Sequence, residues 1–165
     1  MAIVVTNAKC KEMLKDLLEI AEDKFMVIED RQTLSLGDKT LEFIFTSWVH
    51  WPETFTTYLK EDNILFSCDF FGLHLAQSSL FISGSEAGKQ KALRSAKRYF
   101  AEIMMPFRTN IKKHLEVLKA YDIKVIAPSH GPVYGDPSII LNSYQTWVSD
   151  EVKNEVVIPY VSMHG

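Results

Sequence analysis

Short β-type runs and amphipathic helical stretches follow one another along this 165-residue chain, an order that suits neither a helical bundle nor an all-β sandwich. The opening MAIVVTN is a short apolar run. It leads into NAKCKEMLKDLLEIAED, where Met13, Leu14, Leu17 and Leu18 recur at helical spacing behind Asn7, a good N-cap residue. FMVIE, TLSL and TLEFIF follow, the last two divided by Gly37-Asp38, and together they predict a small antiparallel unit. ETFTTYLK and NILFSCD predict two further strands, joined by Lys60, Glu61, Asp62 and Asn63. A long helical pattern begins after Ser85 and is ended by Pro106, which has no amide to donate; a second helix is expected over residues 109–121. IKVIAPSHGP reads as a buried strand broken by Pro128, and Asp136-Pro137 supplies a cap and first turn for a helix over SIILNSYQTWVSD. VVIPYVSMHG is a final strand. With no internal repeat or low-complexity stretch, the expected fold class is a single α/β unit with strands and helices mixed in order.

Hydrophobic residues make up 47% and charged residues 24% of the chain, the composition of a folded domain with a core. The net charge is only −3 and the basic residues are interspersed with acidic ones, so no nucleic-acid footprint is present and a small ligand or a protein partner fits better. Cys10 and Cys68 are far apart and outside any CxxC spacing, which indicates neither a disulfide framework nor a structural zinc site. Reduced thiols, no signal-peptide pattern and no apolar run near the roughly 20 residues that span a bilayer lead to the expectation of a cytoplasmic protein without a membrane partner.

Three loops at strand ends hold residues with metal-ligand chemistry: His50 in TSWVHWPET, Asp69 in LFSCDFFG and His130 in IAPSHGP. Two imidazoles and one carboxylate suit iron, zinc or manganese. From the residues alone they are either a two-His-one-carboxylate set or three unrelated polar loop residues.

HWPET, SCDFFG, the MMPF that ends the long helix, APSHGP and the closing YVSMHG resemble, in the same order, motifs of the flavodiiron proteins, also called A-type flavoproteins. The resemblance covers essentially the whole chain and rests on the five motifs in combination. It implies a partial metallo-β-lactamase-like αββα sandwich, with residues 1–157 as the C-terminal part of that domain and 158–165 as the start of a missing flavodoxin-like domain. In the family a non-haem diiron centre lies between the two sheets, FMN in the flavodoxin-like domain delivers electrons, and oxygen is reduced to water or nitric oxide to nitrous oxide. Head-to-tail dimers and a rubredoxin-like or flavin electron donor are implied as well.

Carried over onto this sequence, the resemblance makes His50 a terminal ligand of one iron, Asp69 the carboxylate that bridges both, and His130 a terminal ligand of the other. A bridging carboxylate offsets the repulsion between two cations and holds them close enough to share one substrate. The family's remaining ligands come from an HxExDH-type motif, and neither HxExDH nor HxHxDH occurs here. The chain is therefore expected to carry a diiron half-site, to bind no FMN, and to be inactive alone. A homo-oligomer, or a second chain supplying the N-terminal half, is the expected partner.

Other candidates have two readings each. His74 either orients a ligand or donates a proton to reduced oxygen, or is a hydrogen-bonding loop residue. Ser162 is the beginning of a partial FMN phosphate loop or part of a tail, and His164 stands beside the terminus. Trp48 and Trp51 either shape the approach of a flavin or pack the His50 loop. Strand alternation turns Cys68 away from Asp69 and makes it a core thiol; Met104 and Met105 read as core. His114, beside Lys112 and Lys113, reads as part of a solvated helix face, as does the basic face of Lys89, Lys91, Arg94, Lys97 and Arg98, for which donor docking is the other reading. Two functions compete with the oxidoreductase: a metal-dependent hydrolase of the same fold, and a non-catalytic interaction unit or half of a split enzyme.

Overall fold

The computed structural model describes residues 2–151; the expected strand VVIPYVSMHG, Ser162, His164 and the domain start at 158–165 lie outside the described residues. β1 (Val4–Asn7) runs directly into α1 (Ala8–Leu18), and the Asn7 side chain accepts a hydrogen bond from the Cys10 amide at 2.9 Å, as its cap position implies. After a short 3-10 turn the chain returns as β2 (Phe25–Ile28), which lies parallel to β1 with Val4 opposite Phe25 and Asn7 opposite Ile28. FMVIE is thus not part of the antiparallel unit expected of it. The helix between the two strands supplies the crossover that a parallel pair needs, and that pairing outweighs sequence proximity to TLSL.

A second, five-stranded sheet has the order β3 (Thr33–Ser35), β4 (Thr40–Phe45), β5 (Phe55–Leu59), β6 (Ile64–Cys68), β7 (Val125–Pro128). Neighbours are antiparallel up to β6, and β6 and β7 are parallel. Gly37 takes φ 99 in the turn between β3 and β4, a backbone that glycine adopts without steric cost. The parallel step from β6 to β7 is bridged by α2 (Glu86–Tyr99) and α3 (Arg108–Leu118). The long helix expected as far as Met105 changes its hydrogen-bond spacing at Phe100, passing through a π turn and then a 3-10 turn that contains Pro106. α4 (Ser138–Trp147) follows β7, with Asp136 Oδ1 accepting from the Ser138 amide at 3.1 Å.

Register decides what each face of the large sheet buries. Ile44 stands opposite Thr56, Tyr58 opposite Leu65, and Leu65 opposite Ile126, so these share one face. That face is covered by Ala92, Ala96 and Tyr99 of α2, Ile111, Leu115 and Leu118 of α3, and Ile140 and Tyr144 of α4, forming one buried cluster. The opposite face carries Phe43, Phe45, Phe55 and Phe66; Phe43 is buried and packs edge-on against Phe55 at 5.9 Å, whereas Phe66 is 45% exposed. Among the described residues no helix is long and apolar enough to cross a membrane.

Direction matters for the site. Two antiparallel steps restore the direction of β4 in β6, and the parallel step keeps it in β7. The C-terminal ends of β4, β6 and β7 therefore lie along one edge of the sheet, and the loops leaving them carry His50, Asp69 and His130.

Candidate metal centre

The three ends bring the three side chains together. His50 Nε2 lies 3.4 Å from Asp69 Oδ2, and His130 Nε2 lies 4.0 Å from Asp69 Oδ1. Each imidazole thus addresses a different oxygen of one carboxylate. The His50, Asp69 and His130 side chains are 24%, 32% and 29% exposed, so the group is sheltered yet open to solvent.

Backbone bonds fix the Asp69 and His130 loops to each other. The Ser129 amide donates to the Cys68 carbonyl at 2.8 Å, and the Leu73 amide to the His130 carbonyl at 3.4 Å. The Gly72 amide donates back to the Asp69 carbonyl at 3.0 Å, and the Tyr134 hydroxyl to the Phe71 carbonyl at 3.0 Å. The turn is so tight that a Cβ on Gly72 would stand 2.3 Å from His130 Cε1 and 2.5 Å from its Nε2. Trp48 (φ 67), Cys68 (φ 53) and Phe71 (φ 67) all hold left-handed backbone next to the ligand-type residues. Each such residue costs on the order of 1–3 kcal/mol and persists only where its surroundings over-determine it.

Cys68 turns toward Asp69 and not away from it as strand alternation predicts. The β6–β7 register shifts between Phe66 and Cys68, so strict alternation no longer assigns its face, and its Sγ lies 4.0 Å from Asp69 Oδ1. Burial, and then the Asp69 charge, raise the pKa of this thiol and keep it protonated.

His74 is placed beside the group. Its ring lies 5.0 Å from that of His130 and 5.0 Å from that of Tyr99, and Tyr99 lies 4.7 Å from His130. Burial, and then Asp69, raise the Tyr99 pKa well above the ordinary phenol range, so its hydroxyl keeps its proton. Sequence reasoning missed Tyr99. The available signal was its position on the buried stripe of α2 with Ala92 and Ala96, which aims it at the sheet. His114 is not on a solvated face either: it is half-buried, and its Nε2 is 3.0 Å from the Ser47 carbonyl in the His50 loop. Burial lowers its pKa. Trp48 stacks on Phe107 at 6.5 Å, while Trp48 and Trp51 stay 47% and 53% exposed.

Among the described residues no three His, Cys, Asp or Glu side chains enclose a single ion. His50 and His130 approach different oxygens of Asp69. A buried Glu53 oxygen, Oε2, in the same loop as His50 has no hydrogen-bond partner among the described residues. An orphan of this kind costs about 1–3 kcal/mol and marks a place where a donor is wanted.

A helix-covered mixed sheet with ligand-type loops along one edge, beside a smaller parallel pair, defines part of a metallo-β-lactamase-like domain. The chain belongs to the β-lactamase-like domains of the flavodiiron proteins: the family model "ODP family beta lactamase" matches residues 1–131. Its relatives include a coenzyme F420H(2) oxidase from Methanothermobacter marburgensis, 34% identical over 99% of this chain and 41% of its own length. Another is a nitric oxide reductase from Moorella thermoacetica, 33% identical over 98% of this chain and 41% of that protein. Among solved structures, the flavodiiron protein from Giardia intestinalis matches 87% of this chain and 35% of its own, with a TM-score of 0.81 and 33% identity. A flavoprotein from Thermotoga maritima matches 92% of this chain and 37% of its own, with a TM-score of 0.83 and 29% identity. The chain thus spans well under half the length of the relatives it matches.

Proposed function

We propose that this chain contributes His50, Asp69 and His130 to a carboxylate-bridged diiron centre of a flavodiiron oxidoreductase, as one half of a site whose other ligands come from elsewhere. The observation that carries the reading is the pairing of the two imidazoles with different oxygens of Asp69. An iron pair bound there would supply the redox chemistry for reducing oxygen to water or nitric oxide to nitrous oxide, with electrons from FMN or a rubredoxin-like donor.

The chain's own residues have definable parts. Asp69 offers one oxygen to each side, and its negative charge offsets repulsion between cations. His130 Nδ1 lies 3.4 Å from the Leu73 carbonyl; a proton on Nδ1 leaves Nε2 as the lone-pair donor that faces Asp69. Tyr99, with its proton retained, is a hydroxyl donor in the wall beside His130, and the His74 ring lies against both.

A role as an interaction unit accompanies this reading. The orphaned Glu53 oxygen calls for a donor, supplied by a second copy, another chain or a further segment of the same polypeptide. Anaerobic loading with Fe(II), followed by gel filtration and elemental analysis, tests the half-site. Less than one iron per chain should be retained, and less still in Asp69→Ala. Two irons held by the isolated chain would contradict it.

A further inference from the structure

The loop 46–54, which carries His50, is gripped by α3 as well as by its own turn bonds. His114 Nε2 lies 3.0 Å from the Ser47 carbonyl across 67 residues of sequence. A carbonyl oxygen only accepts, so the proton of the neutral ring sits on Nε2 and Nδ1 is bare. Burial lowers the His114 pKa, which favours that neutral ring. A second hold comes from Phe107, at the start of α3, whose ring stacks on Trp48 at 6.5 Å and meets the His50 ring at 6.2 Å. Between the two holds, Trp48 keeps φ 67, a conformation that a bulky residue retains only when its surroundings fix it. Within the loop, the Trp48 amide donates to the Trp51 carbonyl at 2.7 Å and the Val49 amide to the Thr46 carbonyl at 3.1 Å. No backbone amide among the described residues reaches the Ser47 carbonyl, so the imidazole is its tether.

We infer that His114 is a positioning residue: through the Ser47 carbonyl it fixes the loop 46–54 and the direction in which His50 presents Nε2 to Asp69. Its functional meaning rests on His50 being a metal ligand, but the positioning needs no metal. His114 makes no hydrogen bond or ring contact with Asp69 or His130, so it acts on the site only through the loop.

The test uses the whole chain, its His114→Leu and His114→Gln variants, and the imidazole and amide NMR signals recorded without metal. In the unaltered chain, His114 should show a single neutral tautomer protonated on Nε2, with slow exchange of that proton. His114→Leu should shift the His50 imidazole signals and the Val49 and His50 amides. His114→Gln, whose side-chain amide can donate to the same carbonyl, should return them toward their original positions. Titration with Co(II) then reads the consequence: affinity should fall about tenfold in the Leu variant, the low end of what loss of an outer hydrogen-bond partner costs, and recover in the Gln variant. Unmoved His50 signals in a folded His114→Leu chain would overturn the inference. So would an Nδ1-protonated His114 in the unaltered chain, a readout that stands even if the Leu variant does not fold. If the chain takes up no Co(II) while the His50 signals still respond to His114, the positioning holds and the metal reading fails.

Discussion

At Gly72 the backbone passes so close to His130 that no side chain fits: an added Cβ would overlap the imidazole at 2.3 Å from Cε1. Gly72→Ala should therefore push His130 away from Asp69 and destabilise the chain by about 1–3 kcal/mol, the usual cost of overpacking. A lowered denaturant midpoint together with displaced His130 imidazole signals would confirm it; an unchanged His130 would show that the loop yields elsewhere. At this scale the sequence was legible where chemistry is carried by residue type. His50, Asp69 and His130 stood out as ligand-type residues at strand ends, and the structure brings them together. Tyr99 and His114 did not stand out, because a tyrosine on an apolar stripe and a histidine between lysines look ordinary until tertiary packing shows what they face. The side to which Cys68 turns was not legible, because alternation fails at a register shift, and a shift of one residue leaves no mark in local composition.

Asn7 joins two elements to the site. Its Oδ1 caps α1 at the Cys10 amide, 2.9 Å away, and its Nδ2 donates to the Glu53 carbonyl at 2.6 Å, in the loop that also carries His50. Asn7→Ala removes a cap, worth about 1 kcal/mol, and a second hydrogen bond of about the same size. The variant should unfold at lower denaturant with an unchanged dependence on denaturant concentration, and its His50 loop signals should move. A shift in stability with no change in that loop would mean that Asn7 serves the helix alone. Elements defined by local signals were legible: the Asn7 cap, the Gly37 turn and the four-residue link between β5 and β6, whereas α2 ends at Tyr99 and Pro106 lies within the 3-10 turn that leads into α3. The parallel partnership of β1 and β2 was not, since FMVI carries no local sign of which strand it will join. The π turn at Phe100–Met104 was hidden as well, because its side chains keep an apolar pattern compatible with a plain α-helix.

For the whole molecule, the imbalance lies in what is covered. The helices bury one face of the large sheet, whereas α1 buries none of its own residues: Leu17 and Leu18 are 73% and 64% exposed, and on β2 Met26 and Val27 are each 41% exposed. An amphipathic helix beside an exposed two-stranded sheet is a surface that seeks cover. Sedimentation velocity at micromolar concentration should show association, weakened by Leu17→Lys or Leu18→Lys; a monodisperse monomer would count against it. Fold class was readable from the order of patterns, while the state of this face depends on chain partners that local patterning does not describe.

Whether His50 and His130 serve metal from opposite sides of Asp69 is decided by a Co(II) titration of the chain followed through its histidine imidazole signals. Weak binding should perturb His50 and His130 together and disappear in Asp69→Ala. Binding that leaves either histidine unmoved, or that survives loss of the carboxylate, would contradict it.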